Sequence, residues 1–371
     1  MEVAWDNRRC RPAEVRIHYR DAARGQIYRR RAYKSSEKGR NKMKIFQGVI
    51  EIAGQIGIFC KGLKQRGHLA VGYNMFHTFL NYRSHLINKQ LHELQVSFRH
   101  MLHFFDLFHY HHSVTLFPGV ADLYFIRALR KKMIVHHWGN DVRFHDQARK
   151  NNPYVYTGDS PPNELIHRQL TLLGRMMKES IVQDHEVLAY VKPYFERVHV
   201  LPIAIDLSRF PYMGTNAPQS RIPLIVHAPT NPLFKGTEAI ERALEALKPT
   251  YNFRYLRIEK MNHDTAARMY READIIVDQV LCGSYGLLSV EAMALGKPVV
   301  TYIRDDLIDT FPAGLPIVNA NPDTLARKLA WLLDNRDVWP HLAKAGRSYV
   351  ERHHAMDAVV PKLLTIYANL K

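Results

Sequence analysis

The chain of 371 residues concentrates its chemistry in one run, Gly283-Ser284-Tyr285-Gly286-Leu287-Leu288-Ser289-Val290-Glu291-Ala292-Met293-Ala294-Leu295-Gly296-Lys297-Pro298-Val299-Val300. A glycine-rich turn that opens a helix leaves N–H groups aimed past the helix end, and these can hold a phosphate. Glu291 falls about one helical turn beyond that start. There an acceptor-only carboxylate can take the paired hydroxyls of a sugar. Gly296 then stops the helix, and Pro298 precedes the next strand. Upstream, Lys235-Gly236-Thr237 leaves a loop and opens another helix. A lysine in that place can neutralise a diphosphate, and the helix N-terminus adds its own partial positive charge. Helix capping would account for any one of these residues taken alone. Together they describe a ligand that carries both phosphate and sugar hydroxyls.

The first half offers a second address. His136-His137-Trp138-Gly139-Asn140-Asp141-Val142-Arg143 ends a strand and turns, and ligands of open α/β sheets bind beyond the carboxyl ends of strands. His137 and Asp141 are the candidate reactive groups there, although an Asp in that position can also cap the turn. Gly54 lies in the turn Ala53-Gly54-Gln55 that follows the first strand. The histidines His100, His103, His109, His111 and His112 invite a metal-site reading. No carboxylate or cysteine cluster accompanies them, so the expectation is no metal.

The elements that must position these groups alternate. Met43 to Ile50 reads as a first strand, and Ile56 to Arg66 as a helix ended by Gly67. Strand-like runs follow at Leu69–Gly72, Leu107–Tyr110, Met133–His136 and Val198–Leu201, separated by helical stretches. The grammar then restarts: strands at Leu224–Ala228, Ile275–Asp278 and Pro298–Tyr302, and helices at Thr237–Leu247 and Asp323–Asp334. This is an α/β fold with parallel sheets, in two successive domains. The expected divisions are a basic extension over 1–42, a first domain over 43–211, a turn-rich linker over 212–222 and a second domain over 223–371.

Composition sets the outer bounds. With 46% hydrophobic and 23% charged residues the chain can bury two cores, at about 150 residues per domain. No apolar run is long enough to span a bilayer, and no apolar signal core opens the chain. The three cysteines, Cys10, Cys60 and Cys282, lack paired metal-ligand spacing and read as free thiols of a reducing, cytoplasmic compartment. The formal net charge is +17, and residues 1–42 hold 13 Lys/Arg against 5 Asp/Glu. Such a surface attracts phosphorylated substrates, nucleic acid or the anionic inner face of a membrane. A nucleic-acid-binding motif is absent from the sequence, so nucleic acid is not the expected partner.

The run from Gly283 resembles the signature of glycosyltransferase family 4, a group of GT-B enzymes: a Glu, a small residue, an aromatic, Gly, a short spacer, then a second Glu followed by Ala-Met. Tyr285, Gly286, Leu287, Glu291, Ala292, Met293, Gly296, Lys297, Pro298 and Val299 fit it. The resemblance implies two Rossmann-like domains facing across a cleft, with the last helix a candidate to cross back onto the first. It implies that Glu291 binds the ribose hydroxyls of a nucleotide-sugar donor, UDP- or GDP-linked. The remaining donor contacts would come from Gly283, Ser284, Tyr285, Gly286, Leu287, Gly236 and Thr237, with the Gly54 turn approaching from the opposite domain. Lys235 and the helix start near Gly286 would stabilise the departing diphosphate. Transfer would proceed with retention of anomeric configuration and without a catalytic metal or cofactor, to a glycan, lipid-linked or small-molecule acceptor.

Three departures accompany the likeness. The family's first Glu, which contacts the donor sugar, is Gly283 in this chain. The Arg that usually precedes the Lys-Gly pair is missing from Ala228–Phe234. The turn after the first-domain strand is similar to the family's His-Gly-Ser-Asp-X-Arg, but Trp138 stands at the usual His and His137 one residue earlier. Gly283 leaves open an alternative, a protein of the same fold that binds a nucleotide sugar without transferring it.

Overall fold

The computed structural model describes residues 42–214 and 221–370. The expected basic extension therefore lies outside the described residues except for Lys42, and so do residues 215–220 of the expected linker.

Strands buried on both faces of a parallel sheet are built from near-continuous apolar runs. The first sheet has seven parallel strands: β1 (Lys44–Gly48), β2 (Leu69–Asn74), β3 (Leu86–Asn88), β4 (Leu107–His111), β5 (Lys132–His137), β6 (Glu179–Val182) and β7 (Arg197–Val200), in the order β3-β2-β1-β4-β5-β6-β7, with the central β1 and β4 buried almost throughout and the edges β3 and β7 partly exposed. Gly54, at φ +75°, turns the chain into α1 (Gln55–Gln65) on one face. The other face is covered by α2 (Leu91–Phe104), α3 (Ala121–Ala128) and α5 (Asn163–Met176). Two short helices, α4 (His145–Asn151) and α6 (His185–Val191), complete this half.

The second sheet runs β12-β11-β10-β8-β9, from β8 (Leu224–His227), β9 (Arg254–Arg257), β10 (Ile275–Val277), β11 (Val299–Thr301) and β12 (Ile317–Asn319), again all parallel. The one-turn helix α7 (Pro232–Lys235) leads into α8 (Thr237–Leu247), which packs with α11 (Leu325–Asp334) on one face. Helices α9 (His263–Tyr270), α10 (Leu287–Leu295) and α12 (Trp339–His353) cover the other. Every residue of α10 after Leu287 is buried, as befits a helix apolar all round.

The last helix, α13 (Met356–Asn369), leaves the second sheet and packs on α1 in the core of the first, through Met356, Val360 and Leu363 against Phe59 and Leu63. Gly62 permits the contact, since a Cβ there would lie 2.6 Å from Val360 Cγ2. Where the two crossing segments pass, Ile205 and Ala355 form a parallel bridge. The strand expected over 43–50 spans only 44–48, because Val49 to Ile52 leave the sheet to aim the Gly54 turn at the cleft. Short strands β3, β6, β9 and β12, of three or four residues each, were not distinguishable from loops by apolar pattern.

Candidate active site

Two buried polar residues follow the apolar strand β10, and they organise the helix start. The Asp278 carboxylate is fully buried. Its Oδ2 accepts the Gly286 N–H (3.2 Å), the Ser289 N–H (3.2 Å) and the Ser289 hydroxyl (2.7 Å), so it caps α10 from within. Its Oδ1 accepts from Lys235 Nζ at 2.8 Å. Gln279 continues the scaffold: its Oε1 takes a second Lys235 proton at 2.7 Å, and its amide donates to the Ser284 carbonyl. Burial pushes the Asp278 pKa up, but the Lys235 charge and hydrogen bonds outweigh it and hold the group below the usual carboxylate range. Lys235, read from the sequence as able to neutralise a diphosphate, is thus already held in a buried ion pair. It is 9% exposed and paired, with one ammonium proton left over.

Between the two sheets lies a cavity of about 280 Å³. Gly54 and Lys61 line it from the first half and Leu287, His263 and Glu291 from the second, with Tyr82 of the β2–β3 loop between them. Glu291 is 3% exposed, and its Oε1 lies 2.6 Å from His263 Nε2. The Tyr82 ring lies against His263, centroids 4.9 Å apart and planes tilted by 40°, and approaches the Gly54 turn, where a Cβ would lie 3.1 Å from Tyr82 Cε1. The same loop crosses the cleft through the His263 N–H, which donates to the Leu80 carbonyl at 3.0 Å. Of the residues proposed from sequence, Gly54, Leu287 and Glu291 meet in this cavity. Lys235 does not line it; its Nζ lies under the α10 start, where a Cβ on Gly286 would sit 3.1 Å away.

The rest of the glycine-rich run faces elsewhere. Tyr285 lines a second cavity of about 200 Å³, and its hydroxyl lies 2.9 Å from His354 Nε2. The Ser284 hydroxyl donates across the domains to Asp184 at 2.6 Å, which makes it an interdomain tie. Gly283 has φ +84°, and a Cβ there would lie 2.4 Å from Arg304 Cγ. The side chain of Arg304 therefore passes where the family's first Glu would begin. Gly236 is also required by space: at φ +78°, a Cβ would meet Val280 Cγ2 at 2.7 Å. Thr237 turns inward, its hydroxyl 2.9 Å from His227 Nε2.

In the first half, His137 and Asp141 are buried and bonded to one another, Nδ1 to Oδ2 at 2.8 Å, with the Ser113 hydroxyl 2.8 Å from the same oxygen. The other Asp141 oxygen accepts the N–H groups of Trp138 and Gly139 at 3.0 and 3.1 Å. Desolvation would raise the Asp141 pKa, yet the His112 charge and the bonds from His137 and Ser113 carry it well below the ordinary value. The pair anchors the turn, and neither residue lines the 280 Å³ cavity. Nearby, the His109, His111 and His136 nitrogens lie within 4.8 Å of one another. The ring planes, however, are only 7° to 28° apart and stack beneath Phe59. Two of the ring nitrogens are engaged, His109 Nδ1 with the Tyr367 hydroxyl at 2.6 Å and His111 Nε2 with Gln47 Oε1 at 2.8 Å. Burial keeps the imidazoles neutral, pushing His109 down to about 3.

Sequence reasoning missed Asp278, Gln279, His263, Tyr82 and Glu51. Glu51 mirrors Asp278: its carboxylate accepts the Ile56 and Gly57 N–H groups at 3.3 and 3.1 Å, capping α1 beside the Gly54 turn. The legible signal for both was an acidic residue at or just past the carboxyl end of an apolar strand. For His263 and Tyr82 nothing in the local pattern marked them.

Residues 238–365 match the family model described as glycosyl transferase-like. Among curated proteins, the chain is 24% identical over 110 residues to an uncharacterised glycosyltransferase of Methanocaldococcus jannaschii, covering 29% of this chain and 28% of that protein. It is 25% identical to a D-inositol 3-phosphate glycosyltransferase of Xylanimonas cellulosilytica, covering 61% of this chain and 65% of that one. The chain thus spans less than two thirds of the length of these curated relatives. Among solved structures, the Anabaena protein HepE in complex with UDP and glucose superposes with a TM-score of 0.63 at 12% identity, over 88% of this chain and 100% of that one. The fold is GT-B, two parallel α/β sheets facing across a cleft.

Proposed function

We propose that this protein is a nucleotide-sugar-dependent glycosyltransferase that holds its donor in the 280 Å³ interdomain cavity. The observation that carries the reading is Glu291, a buried carboxylate brought by α10 to a cleft wall opposite the Gly54 turn. An acceptor-only group there suits the vicinal hydroxyls of a ribose. The likeness of residues 238–365 to glycosyl transferases, and a fold shared with a protein that binds UDP and glucose, support the same reading.

In this reading the diphosphate lies at the α10 start. Asp278 already takes the Gly286 and Ser289 N–H groups, so those of Leu287 and Leu288 are free to turn to a phosphate oxygen. Lys235, held by Asp278 and Gln279, offers its remaining proton. As the bond from the anomeric carbon to the phosphate oxygen breaks, negative charge grows on the diphosphate, where these fixed donors stabilise it. The acceptor hydroxyl forms the new bond to the anomeric carbon, and its proton leaves with the diphosphate or to solvent. We assign the acceptor to the first-domain side, the configuration as retained, and the leaving-group charge to protein donors rather than a metal. The test is hydrolysis of UDP- and GDP-sugars by the full chain, with and without EDTA. Nucleotide diphosphate release that survives EDTA supports the reading, and failure to bind or cleave any donor contradicts it.

A further inference from the structure

The outward face of α2 and α3 is both apolar and basic. Large apolar side chains stand exposed on it: Val96 at 83%, Tyr124 at 59%, Phe125 at 58%, with Leu129 and Phe104 nearly as open. The two helices lie side by side on one face of the first sheet, since Phe98 and Leu94 of α2 share a core with Leu123 and Ile126 of α3. Their surfaces are continuous: the Phe98 and Phe125 rings are 6.3 Å apart, and Lys131 donates to the carbonyls of His103 and Phe105 at the end of α2. Exposed apolar residues scattered singly are ordinary, but several on two adjoining helices, with cations among them, mark a binding surface.

The charge identifies the partner. Arg99, Arg127 and Arg130 are exposed around the apolar group, with Lys131 half-buried beside them. The acids on these helices are Glu93, engaged by Lys89, and Asp122, buried under the Tyr110 hydroxyl. The asymmetry extends to the whole half: residues 43–214 hold 20 Lys/Arg against 13 Asp/Glu, whereas residues 221–371 hold 19 against 17. The segment 1–42 is itself basic, so like charge disfavours it as the cover for this face. Aliphatic groups such as Val96 and Leu129 have no base to stack on in a nucleic acid, whereas a lipid interface takes aromatic, aliphatic and cationic side chains together.

We propose that the α2–α3 face docks the protein on an anionic phospholipid surface, with Val96, Tyr124, Phe125 and Leu129 entering the headgroup boundary and Arg99, Arg127 and Arg130 against lipid phosphates. The proposal stands apart from sugar transfer, because docking is read without any donor. The experiment is flotation of the full chain with phosphatidylglycerol–phosphatidylcholine vesicles, compared with pure phosphatidylcholine. Binding at least tenfold stronger to the anionic vesicles is expected. Because a basic residue near an anionic surface is worth roughly a factor of five, Arg127→Glu with Arg130→Glu should weaken it about 25-fold or more. Val96→Asp with Phe125→Asp should weaken it at least tenfold. Unchanged unfolding midpoints show that the substituted chains are folded, and their donor turnover should equal that of the unsubstituted chain. The proposal is overturned if both double variants float as well as the parent, which would place the binding in another basic segment. Indifference to vesicle charge overturns it too, as does tighter binding to an oligonucleotide than to vesicles at the same salt.

Discussion

Lys235 and Asp278 form a buried ion pair beneath the start of α10, Nζ 2.8 Å from Oδ1. The pair ties the end of α7 to the end of β10, and the second Asp278 oxygen ties both to the helix. The cation proposed for the diphosphate is therefore part of a fixed scaffold, with its position set before any donor arrives.

One consequence is that Lys235→Ala damages stability as well as turnover. It strands a buried carboxylate, which costs about 3–5 kcal/mol. Turnover is expected to fall roughly 100-fold, as for loss of one preorganised donor. Adding Asp278→Asn should restore part of the unfolding midpoint without restoring turnover, because the neutral amide removes the stranded charge and not the missing cation. If the double variant regains both, Lys235 serves the fold alone.

Glu51 predicts a loss of stability as pH rises from about 4.5 to about 8. Burial raises its pKa to about 8 from the ordinary 4.5, even though backbone N–H bonds pull the other way. A carboxyl whose pKa is raised in the folded state binds more protons folded than unfolded. Its contribution to stability is then fully present below about pH 4.5 and is lost as pH rises to about 8. The loss attributable to this group is on the order of 3–5 kcal/mol. Denaturant melts across that window should show a shallower decline in Glu51→Gln, which keeps one acceptor for the α1 N–H groups. Parallel slopes in the two proteins would remove Glu51 from the account.

Restoring the family's first Glu should fail. Gly283→Glu places a side chain on a φ of +84° and a Cβ 2.4 Å from Arg304 Cγ. The expected cost is roughly 2–5 kcal/mol, read as a lowered unfolding midpoint, with no gain in donor cleavage. Adding Arg304→Ala should relieve much of it. A stable Gly283→Glu protein with enhanced cleavage would show that the site can take the ordinary family arrangement.

Much of the fold was legible because parallel strands such as Ile275–Val277 announce themselves as apolar runs, and glycine turns at Gly54 and Gly296 punctuate the helices. The candidate site was half legible. Glu291 and Gly54 reach the cavity from positions that local pattern marks, whereas Tyr285 and Thr237, equally well marked, turn away to His354 and His227. The direction of a side chain within a motif depends on what packs beneath it, and that comes from remote segments. His263 and Tyr82 were invisible for the same reason: one is set beside Glu291 by α9, the other by a loop of the opposite domain.

The central claim is that Glu291 holds the ribose of a nucleotide donor. Calorimetric titration of UDP and GDP into the full chain and into Glu291→Ala tests it most directly. At least one nucleotide should bind the parent. The variant should lose about 1.5–3 kcal/mol of affinity, roughly 10- to 150-fold, as expected for a lost charged hydrogen bond. Its unfolding midpoint should stay close to that of the parent. Equal affinity in a folded variant, or no binding of either nucleotide to the parent, would contradict the assignment.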